Sequence, residues 1–138
     1  MKTLNEQLAQ YASYHRDRRN ILTHFVGIPM IVLSVSTLLA RPVLGQLPLG
    51  AWATVDLTPS LLVSLLAAVF YLRLDVRYGV VMALWLAASN HLGRLLALEG
   101  TAVWLGAGVG LFVLGWAIQF IGHAWEGRKP AFVDDLIG

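Results

Sequence analysis

The chain opens with polar residues and then carries no formal charge between Arg19 and Arg41. Within that interval the apolar run 21–40, at ~1.5 Å per helical residue, is long enough to cover the ~30 Å hydrocarbon core of a bilayer. Three more apolar runs follow at 57–72, 78–93 and 100–125. The middle two hold about sixteen uncharged residues each, slightly short of a spanning length. Between the first two runs, "RPVLGQLPLGAWATVDLTP" is broken by glycines and prolines and reads as an irregular loop at the membrane interface, with Trp52 as an anchor. Ahead of the first run, Leu4, Leu8, Tyr11 and His15 recur at spacings of four, three and four, one face of an amphipathic helix. Such a helix suits the membrane surface or the underside of a bundle. The pattern predicts an all-α integral membrane bundle of about four transmembrane helices. It forms a single membrane domain over 1–138, with an N-terminal amphipathic helix in the arm 1–19 and a tail at 126–138.

Composition strengthens this reading. Of the 138 residues 57% are hydrophobic and only 13% charged, against roughly 25% charged in an ordinary soluble domain. The few charges are also sided. With four spans, Lys2, Arg16, Arg18, Arg19, Arg73, Arg77, Arg128 and Lys129 share one face, and only Arg41 and Arg94 lie on the other. Eight against two is a positive-inside bias that puts both termini in the cytoplasm. The expected site is a bacterial inner membrane, or the endoplasmic reticulum if the source is eukaryotic. No secretory signal opens the chain. A net charge of +2 is too small to point to nucleic acid, and the pattern fixes no oligomeric state. With no cysteine in the chain, disulfides, thiolate metal sites and a cysteine nucleophile are excluded.

Any metal must therefore be held by nitrogen or oxygen, and the histidines are the candidates. His15 precedes the first span, His24 sits in its first turn and His123 in the last turn of the fourth, all at similar depth. His24 and His123 meet if spans one and four are antiparallel neighbours. Asn20 lies four residues before His24, and Gln119 four before His123, so each histidine shares a helix face with an amide. Gly108, Gly115 and Gly122 repeat every seven residues, and Gln119 falls on that stripe. Small residues allow close helix approach in lipid, so the stripe is the predicted packing face. The Gly106–Gly110 pair matches a small-residue motif as well. His91 lies about thirteen residues into the third run, roughly 20 Å along it, and a ligand role there requires that span to be broken or shallow. Glu126, Asp134 and Asp135 are oxygen donors near the same end. Neutral imidazoles suit zinc, copper, iron or nickel, and the residues alone do not choose among them.

The two ends of the chain, "YHRDRRNILTHFVGIPMI" and "WAIQFIGHAWEGRKPAFVDDL", resemble the family of small membrane 2-hydroxy fatty acid dioxygenases. The resemblance is carried by His15, Asn20, His24, Gly27 and Pro29, and by Gln119, Phe120, Gly122, His123, Pro130 and Ala131. One departure is the position of the acid, which here is Glu126, three residues after His123. The resemblance implies an iron(II)-dependent α-oxidation in which a 2-hydroxy fatty acid and O₂ yield a product one carbon shorter. It implies Fe²⁺ held by His15, His24, His123 and, on a looser match, His91. Asn20 and Gln119 would support these ligands or touch substrate, and Arg128 or Lys129 would attract the carboxylate. A haem protein with two axial histidines, or a non-enzymatic membrane protein, uses the same residues differently and stays open at this point.

Overall fold

The structure is a computed structural model that describes residues 1–14 and 17–127. Among the described residues five helices and one small antiparallel sheet follow in the order α1 (Leu4–Tyr14), α2 (Arg18–Leu38), β1 (Gly45–Leu49), β2 (Ala53–Leu57), α3 (Pro59–Leu74), α4 (Val76–Leu98) and α5 (Thr101–Glu126). The helices α2, α4 and α5, of 21, 23 and 26 residues, are long and apolar enough to cross a membrane. With 16 residues α3 is apolar but shorter; at ~1.5 Å per residue it covers about 24 Å.

Burial is inverted relative to a soluble protein. Among the described residues the only buried hydrophobic side chains are Ala40 and Ala97, whereas Asn20, His24, Ser34, Thr37, Ser60, Ser89, Gln119 and His123 are all buried. Large apolar side chains such as Phe25, Leu66, Leu84 and Val113 stand outward. In water this arrangement would leave a very large apolar surface exposed. In lipid it is the stable one, since apolar side chains meet acyl chains while small and polar ones mediate helix contact. The chain is a membrane protein.

The described chain divides into two compact units, one of Met1–Ile31 with Phe112–Gly138 and the other of Val32–Leu111. In the first, Gly115 lies against Ile31, where an added Cβ would come within 2.8 Å of Ile31 Cγ1. In the second, Gly108 lies against Leu38 in the same way, at 2.5 Å from Leu38 Cδ2. The seven-residue glycine stripe is therefore the packing face, as the spacing predicts. Gly106 and Gly110 meet nothing within 4 Å, so that pair is not a packing motif here.

Local sequence sets the boundaries in the second unit. Thr58 caps α3 by accepting the Leu61 N–H at 3.1 Å, with Pro59 opening the helix. Asp75 ends α3 and caps α4, accepting the Tyr78 N–H at 3.1 Å. The helix that carries the apolar run 78–93 is longer than that run: α4 continues through Arg94, which pairs with Asp56 at 3.1 Å, to Leu98. One expectation needs correction. Within the stretch read as an irregular loop, residues 45–57 form the β1–β2 hairpin, with Leu47 opposite Val55 and Leu49 opposite Ala53. Gly50, at φ +69°, supplies the left-handed turn residue that the hairpin needs. Pro48 is tolerated because a two-stranded sheet has only edge strands.

Candidate functional site

The site forms in the first unit, where the opening turns of α2 lie beside the closing turns of α5. Glycines bring the two backbones together. A Cβ on Gly27 would come within 2.8 Å of Gln119 Oε1 and 3.0 Å of the Gly115 carbonyl. A Cβ on Gly122 would collide with Thr23 Oγ1 and reach 2.5 Å from Asn20 Oδ1. Such close approach puts Asn20 and His24 of α2 against Gln119 and His123 of α5, with all four side chains buried.

The two histidines face each other. His24 is 4% exposed and His123 6%, and their Nε2 atoms lie 3.1 Å apart with the rings edge to face at 79°. The Nδ1 of His24 lies 2.8 Å from the Asn20 carbonyl oxygen. A carbonyl only accepts, so Nδ1 carries the proton, and in the neutral ring Nε2 presents a lone pair toward His123. The Tyr11 ring of α1 stands edge-on to His24 at 6.3 Å between centroids.

Glu126, one turn beyond His123, ties the end of α5 to the start of α2. Its Oε2 accepts from the Asp17 backbone N–H and from the Asn20 side-chain amide, the latter at 3.4 Å. A closed circuit results, running His123–Glu126 along α5, then to Asn20, to His24 and back to His123. Next to it, Asp17 has its carboxyl held below the usual range by hydrogen bonds from Arg19. One helical turn from His123, Gln119 Oε1 is buried without a hydrogen-bond partner among the described residues.

Of the residues singled out from sequence, the structure therefore brings together Asn20, His24, Gln119 and His123. His15 lies outside the described residues, as do Arg128, Lys129, Asp134 and Asp135. His91 is an exposed residue of α4 in the other unit. Among the described residues no group of three or more His, Cys, Asp or Glu side chains is arranged to hold a metal. One site feature goes unassigned in the sequence: Tyr11 reads there only as part of an amphipathic face. Glu126, an oxygen-donor candidate by sequence, is placed three residues after His123, on the same side of α5, and reaches Asn20.

The family model described as "2-hydroxy-palmitic acid dioxygenase Mpo1-like" matches residues 1–138. The 2-hydroxy-palmitic acid dioxygenase MPO1 of Saccharomyces cerevisiae is 34% identical, in an alignment covering 97% of this chain and 71% of the yeast protein. No solved structure matches the chain.

Proposed function

Because the chain belongs to the Mpo1-like family of 2-hydroxy-palmitic acid dioxygenases, we propose that it oxidises 2-hydroxy fatty acids with O₂ in an iron(II)-dependent reaction that shortens them by one carbon. The observation that carries this reading is the buried pair of His24 and His123 with Nε2 atoms 3.1 Å apart. Nitrogens on adjacent coordination positions of one first-row metal ion, each at about 2.0–2.1 Å, stand roughly 3 Å apart. The pair fits that requirement. A bis-histidine haem protein, the alternative use of the same pair, would show a Soret band in purified protein. A set without thiolates, shared with a carboxylate-bearing substrate, also suits iron.

In this reading His24 and His123 would hold the metal, with His15 a candidate third donor. Iron(II), when bound, supplies the activation of O₂ that neither the chain nor a fatty acid can provide. The residues do the rest. Asn20, through its carbonyl, keeps the proton on His24 Nδ1, so that Nε2 presents the lone pair that would ligate the metal. Gln119 offers a buried acceptor to the 2-hydroxyl of the substrate. The outward apolar faces of the helices let the acyl chain stay in lipid while its polar head reaches the histidines. The reaction balances without another reductant: a 2-hydroxy acid and one O₂ give the acid one carbon shorter, carbon dioxide and water.

The proposed topology is a single membrane domain in which α3 crosses as the fourth span and both termini face the cytoplasm, supported by the eight-to-two distribution of basic residues.

The test is a product assay. Purified protein loaded anaerobically with iron(II) receives 2-hydroxypalmitate and then oxygen, and products are read by mass spectrometry. A C15 product, absent with His123→Ala, is the expected outcome. Iron-loaded protein that leaves the substrate unshortened would overturn the reading.

A further inference from the structure

The β1–β2 hairpin has two chemically different faces. Antiparallel pairing puts opposite residues on the same side, so Leu47, Val55, Leu49 and Ala53 make one face and Gln46, Asp56, Pro48 and Thr54 the other, more polar one. The polar face is bound within its own unit: Gln46 donates to Asp56 at 2.8 Å, and Arg94 of α4 pairs with the same carboxylate. The apolar face is open. Leu47 is 52% exposed, Leu49 59%, and Trp52 at the turn 95%. A two-stranded hairpin is marginal by itself in water, and an uncovered apolar face of this kind calls for a partner.

We propose that this face lies in the headgroup–acyl boundary of the bilayer, making the hairpin an amphipathic interfacial anchor. Its position in the chain leads there. The hairpin leads within two residues into α3, whose Leu62, Val63, Leu65 and Leu66 stand outward, so its open apolar face adjoins an element that already meets lipid. Tryptophan at the turn has the amphipathic ring favoured at that depth.

Charge narrows the partner further. The basic residues at this end of the unit are Arg41 and Arg94, and both are engaged. Arg94 holds Asp56 and donates to the Ala40 carbonyl at 3.3 Å. Arg41 donates to the Ala97 carbonyl and to Thr101 Oγ1, and stacks over Trp104 at 4.4 Å. Arg94 is neutralised by Asp56, and the one remaining cation, Arg41, is held by neutral protein groups and not by the hairpin, so the anchor works through apolar burial and does not require anionic lipid. The proposal stands independently of the dioxygenase reading.

The absence of native cysteines gives a clean test. Leu49→Cys and, on the same face, Leu47→Cys are labelled with an environment-sensitive fluorophore, with Thr54→Cys on the polar face as control. The full chain is reconstituted in phosphatidylcholine vesicles with and without phosphatidylglycerol. The expected result is blue-shifted emission at 47 and 49, shielding from iodide, and quenching by lipid spin-labelled high on the acyl chain. It should be equal in both vesicles and unchanged across protein-to-lipid ratios, while the label at 54 stays open to iodide. Iodide access at 47 and 49 would overturn the proposal. So would shielding that grows with protein density, pointing to a second copy, or shielding that needs anionic lipid or added 2-hydroxypalmitate.

Discussion

His24 and His123, 99 residues apart in the chain, meet through their Nε2 atoms at 3.1 Å in a buried setting. If the pair holds iron, His24→Ala and His123→Ala should each lower bound iron and product formation at least about 100-fold. Loss of a partner outside the ligand set already costs 10–100-fold, and loss of a ligand costs more. Metal analysis of the purified variants beside a product assay checks this. Full iron retention in both variants would remove the pair from the metal site.

Glu126 reaches the site through Asn20 and the Asp17 backbone. Glu126→Ala should weaken iron retention by about 10–100-fold, the range for a group that orients a ligand from behind. Glu126→Gln, which keeps one acceptor oxygen, should recover part of that loss. Equal iron affinity in wild type and both variants, with melting in detergent unchanged, would reduce Glu126 to a bystander.

The glycines make a graded prediction. Gly122→Ala drives a methyl into Thr23 and Asn20, and Gly27→Ala drives one against Gln119. Overpacking of this kind costs about 1–3 kcal/mol, and both variants should melt earlier and bind less metal. Gly106→Ala and Gly110→Ala meet open space and should be neutral or stabilising by up to about 1 kcal/mol, from helix propensity. Thermal unfolding of the four variants in one detergent separates the two groups.

Asp56 sets a pH dependence for the hairpin. Hydrogen bonds from Gln46 and then Arg94 hold its carboxyl below its ordinary value of 3.8. A carboxyl lowered by folding contributes stability that is fully present above the ordinary value and is lost as pH falls through the lowered one. Amide exchange protection at Leu47 and Val55 should therefore be flat at neutral pH and decline below about pH 4. In Asp56→Asn, protection should start lower and lose that acid-dependent fall. An acid transition unchanged in Asp56→Asn would assign it to another group.

Much of the candidate site is legible in the sequence. His24 and His123 face each other because they lie at equal depth on antiparallel helices, and Asn20 and Gln119 share their faces at helical spacing. The heptad of Gly108, Gly115 and Gly122 named the face of α5 that packs. The Gly106–Gly110 pair misled because spacing alone does not say which side of a helix meets another. The hairpin is not legible in the sequence, since Gly45, Pro48 and Gly50 interrupt an alternation only a few residues long. Its register depends on the turn at Gly50 and on the Asp56–Arg94 pair, which no local pattern reveals.

Asp75 is the single residue between α3 and α4, capping the end of one and the start of the other. That junction bears on biogenesis. At 16 residues α3 is a weak candidate for entering the bilayer alone, whereas α4, at 23, meets the length requirement. A chain truncated after Arg77 should leave α3 outside the membrane in an insertion assay, and extension through Leu98 should bring both helices in. One aspartate thus makes the insertion machinery handle two helices as a single cargo.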